Sequence, residues 1–206
     1  MKRHGNGLTH VDHLTHNVRR GNLDKWASFY ERLFGFREIR YFDIEGQMTG
    51  LVSKAMVSPC GKIRIPLNES QDASSQVEEF LKDYHGEGIQ HIALASRHIY
   101  RTVDRLRAAG IELQDTLDAY YDEVDARVPG HTESLDALRA RRILIDGAPS
   151  RGQGVLLQIF TRNVIGPIFF EIIERKGNDG FGEGNFRALF ESIERDQIRR
   201  GVLKPD

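Results

Sequence analysis

Apolar residues along this chain follow two spacings: every second residue in short runs, every third or fourth in longer ones. Residues 10–18 alternate and are partly β-branched, which predicts a strand. Leu23, Trp26, Phe29, Tyr30 and Leu33 then fall three or four apart. That spacing predicts a helix over 22–34, with Asn22 as N-cap and Gly35 just past the end. Strands are predicted at 36–43, 48–57 and 62–68, with SPCG at 58–61 turning the last hairpin. A second set opens with a strand at 88–95. A helix at 97–109 follows, carrying Ile99, Val103 and Leu106, capped by Ser96 and stopped by Gly110. Residues 111–131 read as polar and turn-rich, ending in Pro129-Gly130. A short helix is expected at 132–141, then strands at 142–146, 154–161 and 167–175. Gly177 to Gly184 is a glycine-rich loop, and Asn185 caps a final helix expected at 186–199.

The order is βαβββ twice. GLTHVDHLTHNV opens the first set and GEGIQHIALAS the second, with His13 and His91 at equivalent places, 78 residues apart (91 minus 13). That spacing is too long for a solenoid repeat and indicates a duplicated module. The fold class is α+β, built as one domain over 1–206. Its parts are a first βαβββ module at 8–85, a second at 86–176, and a loop with a C-terminal helix at 177–206.

Composition narrows the function. The chain has 206 residues, 39% of them apolar and 29% charged, as in ordinary globular proteins. A net charge of −1 gives no global positive field to recruit nucleic acid or anionic lipid. No apolar run approaches the roughly 20 residues that span a bilayer, and the N-terminus lacks the apolar core of a signal peptide. Cys60 is the only cysteine, which excludes an internal disulfide and fits a reducing cytoplasmic setting.

Three apolar strands each carry a candidate metal ligand: His13 in VDHLTHNV, His91 in GIQHIAL and Glu171 in PIFFEIIER. Two imidazoles and a carboxylate form the facial triad that holds Fe(II) and leaves positions open. Each has a plainer reading. A lone histidine in an apolar strand is more often a hydrogen-bonded core residue, and Glu171 could pair with an arginine. A buried carboxylate needs some partner, because burying it alone costs several kcal/mol. His10 lies at the strand start, and His16, an odd number of residues from His13, faces the other side. His4, His85, His98 and His131 read as loop or helix-surface residues, and Cys60 as an ordinary turn residue. On the late strands, Phe169 shares a face with Glu171, and Gln158 shares one with Phe160. Alternation turns Gln90 away from the metal, so that only a bend or bulge would bring it to the pocket.

VDHLTHNV, IPLNE, GIQHIAL, LLQIFT, FFEIIER and GFGEGNFRALFESIE together resemble the C-terminal, iron-binding half of the 4-hydroxyphenylpyruvate dioxygenases, within the vicinal oxygen chelate superfamily. The resemblance runs from about Val11 to Leu203. It implies a half-open β-barrel around the metal and one Fe(II) per chain, bound by His13, His91 and Glu171. It implies Ser53, Asn68, Gln76, Gln90, Gln158, Phe160 and Phe169 in the substrate pocket, with Gln158, Asn68 and Phe160 serving catalysis. Phe181, Asn185 and Phe186 match a lid carried by the final helix. The implied reaction uses 4-hydroxyphenylpyruvate and O2, in tyrosine and phenylalanine catabolism. The 2-oxo acid is oxidatively decarboxylated, the ring is hydroxylated and the side chain migrates, giving homogentisate and CO2. No nucleic acid or membrane partner is implied, and a homo-oligomer stays open. Members of this family usually carry an additional N-terminal half that this sequence does not contain, which fits equally a natural short form, a truncated gene or an engineered piece. Its stretch after IPLNE, reading SQDASSQ, looks shorter and less basic than usual. Two alternatives remain: 4-hydroxymandelate synthase, which hydroxylates the benzylic carbon instead, and a metal-free binding module of the same superfamily. Pro66 with Asn68 favours ring hydroxylation, and retention of all three ligands argues against the binding module.

Overall fold

The first alternating run becomes β1 (Leu8–Val18), and the amphipathic run after it becomes α1 (Leu23–Phe34), ended by Gly35 at φ 66°. A glycine suits that left-handed position because it has no Cβ to clash. These elements come from a computed structural model that describes residues 5–45, 50–73, 75–185 and 187–188. The chain continues as β2 (Arg37–Glu45), β3 (Gly50–Val57), β4 (Arg64–Ser70), α2 (Gln76–Asp83) and β5 (Gly88–Ser96). Then come α3 (Ile99–Ala108), α4 (Asp118–Tyr121), α5 (Val124–Arg127), α6 (Leu135–Arg141), β6 (Leu144–Gly147), β7 (Val155–Phe160) and β8 (Phe169–Lys176). Two βαβββ runs are therefore present, the second interrupted by α4, α5 and α6. The fold class is α+β, as the pattern predicts.

Two compact units interleave along the chain. One comprises residues 10–94 and 161–171, the other 1–9, 95–160 and 172–206. In the first unit the strand order is β2-β3-β4-β1-β5-β8. β1 runs parallel to β4, with Asn17 opposite Asn68, and β3 is antiparallel to β4, with Ser53 opposite Asn68. One core cluster gathers Val18, Leu23, Ala27, Met56, Ile65 and Leu67, so α1 lies on β1, β3 and β4. A smaller cluster of Val77, Phe80 and Leu81 packs with Ile168.

The second unit contains the end of β8, then β7 and β6. Its core is broader and includes Ile99, Val103, Leu106, Tyr120, Tyr121, Val124, Leu138, Ile145, Leu157 and Ile172. Each such aliphatic side chain, fully buried, contributes about 1.5–3 kcal/mol.

Four helices depart from the expectation. α2 begins at Ser75, whose side chain accepts from the Glu78 N–H, and buries Val77, Phe80 and Leu81. The one-turn helices α4 and α5 fall inside the stretch read as turn-rich. Asp115, Asp118, Asp122, Glu123 and Asp125 dilute the apolar signal there, yet Tyr120, Tyr121 and Val124 are buried. α3 is preceded by His98, not capped by Ser96, though the Ser96 hydroxyl accepts from the His98 N–H. The helix expected at 186–199 lies almost wholly outside the described residues. Among the described residues no helix is long and apolar enough to cross a membrane.

Candidate metal centre

β1, β5 and β8 are neighbours in the first unit, and each delivers one buried side chain to a common point. His13, His91 and Glu171 each offer a ligand atom, and these atoms lie within 4.8 Å of one another. The Oε2 of Glu171 is 3.3 Å from His13 Nε2 and 3.4 Å from His91 Nε2. The imidazoles meet edge to face, with centroids 5.6 Å apart. Glu171 is 1% exposed, and among the described residues its Oε1 has no hydrogen-bond partner.

The far side of each ring is held. His13 Nδ1 is 2.8 Å from Asp12 Oδ1, and His91 Nδ1 is 2.9 Å from Gln90 Oε1. A proton on each Nδ1 satisfies these oxygens and leaves Nε2 as the donor atom toward a metal. The Phe169 ring stacks on His91 at 4.9 Å between centroids. The Thr15 hydroxyl lies 2.9 Å from His91 Nε2. Two imidazole nitrogens, a carboxylate and an orphaned buried carboxylate oxygen suit a divalent first-row metal, because the donors are few, buried and of mixed hardness.

Charge shapes the site in the absence of metal. Burial works against a charged His13, but the Glu171 charge and the Asp12 and Glu171 hydrogen bonds outweigh it, raising its pKa to about 8. Burial likewise works against a charged Glu171, yet the two histidines bring its pKa down to about 2. Burial holds His91 below the usual histidine range. The metal-free centre is thus an ion pair of His13 and Glu171 beside a neutral His91.

The other sequence-derived residues are distributed as follows. Ser53 and Asn68 are buried on β3 and β4, in register, in the same unit as the three ligands. Gln76 is exposed at the start of α2. Gln90 reaches back to the neighbouring His91 ring through its Oε1. Gln158, Phe160, Phe181 and Asn185 belong to the other unit. Gln158 is buried with its Oε1 unpartnered among the described residues. Phe160 packs on the apolar core, and Arg175 lies over the Phe181 ring. Asn185 Oδ1 accepts from the Tyr120 hydroxyl at 2.7 Å. Phe186 lies outside the described residues. His16 takes the opposite side of β1 from His13, packing edge-on against Trp26, and His10 is exposed. Asp12 and Thr15 were not singled out from the sequence. Asp12 adjoins a candidate ligand and Thr15 lies two residues along the same face, which is the only signal either offered.

Residues 10–125 match the family model described as the Glyoxalase/Bleomycin resistance protein/Dioxygenase superfamily. The chain belongs to that superfamily. It is 67% identical over 197 residues to 4-hydroxyphenylpyruvate dioxygenase of Pseudomonas aeruginosa, covering 96% of this chain and 55% of the relative. It is 68% identical over 197 residues to the Hemolysin VllY of Vibrio vulnificus, again covering 96% of this chain and 55% of the relative. Among solved structures it resembles a triple mutant of 4-hydroxymandelate synthase from Streptomyces coelicolor, with a TM-score of 0.80 and 30% identity. That match covers 95% of this chain and 56% of the other. The chain therefore spans a little over half the length of these relatives. The resemblance to the 4-hydroxyphenylpyruvate dioxygenases read from the motifs is borne out.

Proposed function

We propose that this chain is an Fe(II)-dependent dioxygenase converting 4-hydroxyphenylpyruvate and O2 to homogentisate and CO2. The observation that carries the reading is the buried His13–His91–Glu171 donor set, in a chain 67% identical to a 4-hydroxyphenylpyruvate dioxygenase. In this reading the three residues hold one Fe(II). Bound iron supplies the activation of O2 and the oxidative decarboxylation of the 2-oxo acid.

The chain's own residues do the rest. Asp12 and Gln90 keep Nδ1 protonated on each histidine, so both rings present Nε2. Phe169 fixes the plane of His91. A cation held at His13 Nε2 would take the place of the proton that otherwise pairs with Glu171, so metal loading would release a proton near neutral pH. Asn68 and Gln158 carry neutral amides, poor iron ligands but good partners for a phenol or a carboxylate, and they orient the substrate. Ser53 supplies a hydroxyl in the same row as Asn68. Phe160 and Phe181 supply apolar walls that exclude water from a reactive site. This reading puts the chain in tyrosine and phenylalanine breakdown, in the cytoplasm.

The test is an anaerobic titration of the metal-free protein with Fe(II), then substrate, followed by oxygen. One iron per chain, with homogentisate and CO2 formed in step with O2 consumed, is the expected result. The structural likeness to 4-hydroxymandelate synthase supports a second reading, in which the benzylic carbon is hydroxylated. The two products are isomers, so chromatography against standards separates them where mass does not. Absence of iron uptake would leave only the metal-free binding module.

A further inference from the structure

Asn17 on β1 is 0% exposed, and among the described residues neither its Oδ1 nor its Nδ2 has a hydrogen-bond partner. A buried amide left unpaired costs stability, and an apolar residue of the same shape would avoid that cost. Asn17 is four residues from His13, an even number, so both lie on one face of β1. The other face is accounted for by His16 against Trp26 and by Val18 in the core under α1. Across the sheet Asn17 stands in register with Asn68 on β4, and Asn68 with Ser53 on β3. The sheet thus carries a polar row, Ser53–Asn68–Asn17, on the face of the metal ligands.

That row lies about 13 Å from His13 along the strand, at about 3.3 Å per residue. A 2-oxo acid anchored at the metal with its ring along β1 presents its para hydroxyl to this row. An asparagine amide can turn either its oxygen or its NH2 toward a ligand, and its neighbours decide which. Ser53 on one side can donate or accept and does not decide. Asn17 on the other side is directional and has unused capacity for both. We propose that Asn17 binds the hydroxyl end of the substrate with its open amide, beside Asn68 in the same row. This rests on the function proposed above.

The experiment compares Fe(II)-loaded wild type, Asn17→Leu and Asn17→Thr, titrated anaerobically with 4-hydroxyphenylpyruvate and with phenylpyruvate, which lacks the hydroxyl. Wild type is expected to prefer the hydroxylated acid by about tenfold, roughly one good hydrogen bond. Asn17→Leu is expected to bind both acids within about twofold of each other, by weakening only the hydroxylated one. Asn17→Thr retains part of the preference. Iron content stays at the wild-type value, and the melting temperature of Asn17→Leu is equal to or above that of wild type. A preference retained in Asn17→Leu, or absent from wild type, overturns the inference. So does a large fall in melting temperature in both variants, which would make the amide structural. If wild type binds neither acid, the proposed function itself fails, a result distinct from the others.

Discussion

Tyr120 in one unit and Glu171 in the other are both buried polar groups, but the fold treats them differently. The Tyr120 hydroxyl donates to Asn185 Oδ1 and accepts from Arg127 Nη2 at 2.6 Å and from the Ile145 N–H at 2.9 Å. It sits among aliphatic residues, and its whole hydrogen-bonding capacity goes into holding α4, α5, β6 and Asn185 together. Glu171 sits between His13 and His91, which Asp12 and Thr15 contact in turn, with one carboxylate oxygen unpartnered among the described residues. Asn17, in the same unit, leaves its whole amide unpartnered among the described residues. Saturated polar groups fix a fold, whereas buried groups with spare capacity mark where a ligand is expected.

The sharpest way to break this contrast is to remove a ligand. Glu171→Ala, His13→Ala and His91→Ala should each abolish turnover and leave substoichiometric iron, while the protein still folds. Metal analysis of the purified variants checks this. If His13→Ala keeps iron and activity while His16→Ala loses both, the β1 ligand is misassigned.

The same truncation in the other unit should act on stability instead. Tyr120→Ala removes a wholly buried ring and strands Arg127 and Asn185, at a cost of about 3–5 kcal/mol. Tyr120→Phe keeps the ring and should cost about 1–3 kcal/mol. Denaturant unfolding measures both, and unchanged stability in Tyr120→Phe would show that the hydroxyl network is incidental.

These two regions also differ in how far the sequence discloses them. The Glu171 centre was legible because its signal is local and chemical: ligand-type residues on apolar strands at matching places in a repeat. His13 and His16 were separable by strand alternation alone. The Tyr120 region was opaque. Its helices are single turns whose formation rests on tertiary burial of Tyr120 and Tyr121 and not on periodicity. The partners of Tyr120 lie between 7 and 65 residues away, a separation that no spacing rule reaches. α2 was legible in principle, since Ser75 with Glu78 has capping-box spacing ahead of Phe80 and Leu81. Asp12, Thr15 and Asn17 carry no sequence signal beyond their nearness to His13. Their importance comes from partners, or the lack of them, in space.

Gln158 sharpens the contrast, because it is a buried amide with an open oxygen in the unit whose hydroxyl at Tyr120 is saturated. Under the proposed function, in which Gln158 orients the substrate, Gln158→Leu should keep iron stoichiometry and lower kcat/KM about ten- to a hundredfold. Gly182, at φ 77°, approaches so closely that a Cβ there would collide with the Gln158 amide. Gly182→Ala should therefore reproduce the Gln158→Leu phenotype by displacing the side chain. Loss of iron in Gln158→Leu with substrate affinity intact would assign the residue to the metal centre instead.

The smallest effect concerns the proton shared by the metal-free centre. Glu171 titrates at about 2 in the folded chain, against an ordinary value of 4.5, so its contribution to stability is present above pH 4.5 and lost as pH falls toward 2. His13 titrates at about 8, against 6.5, so its contribution is full below pH 6.5 and lost as pH rises through 8. The pair therefore stabilises the metal-free chain fully only between about pH 4.5 and 6.5. Melting curves of metal-free wild type and Glu171→Gln, subtracted at each pH, isolate the pair from other titrations. The difference should be largest in that window and shrink from pH 6.5 to beyond 8, by about 2–4 °C for each kcal/mol lost. Iron reverses the upper limb, because a metal on Nε2 replaces the His13 proton. The iron-loaded protein should thus show no decline between pH 6.5 and 8. A metal-free difference that stays flat from pH 5 to 9 would mean that His13 and Glu171 do not share a proton, and that the centre is held open by Asp12, Gln90 and Phe169 alone.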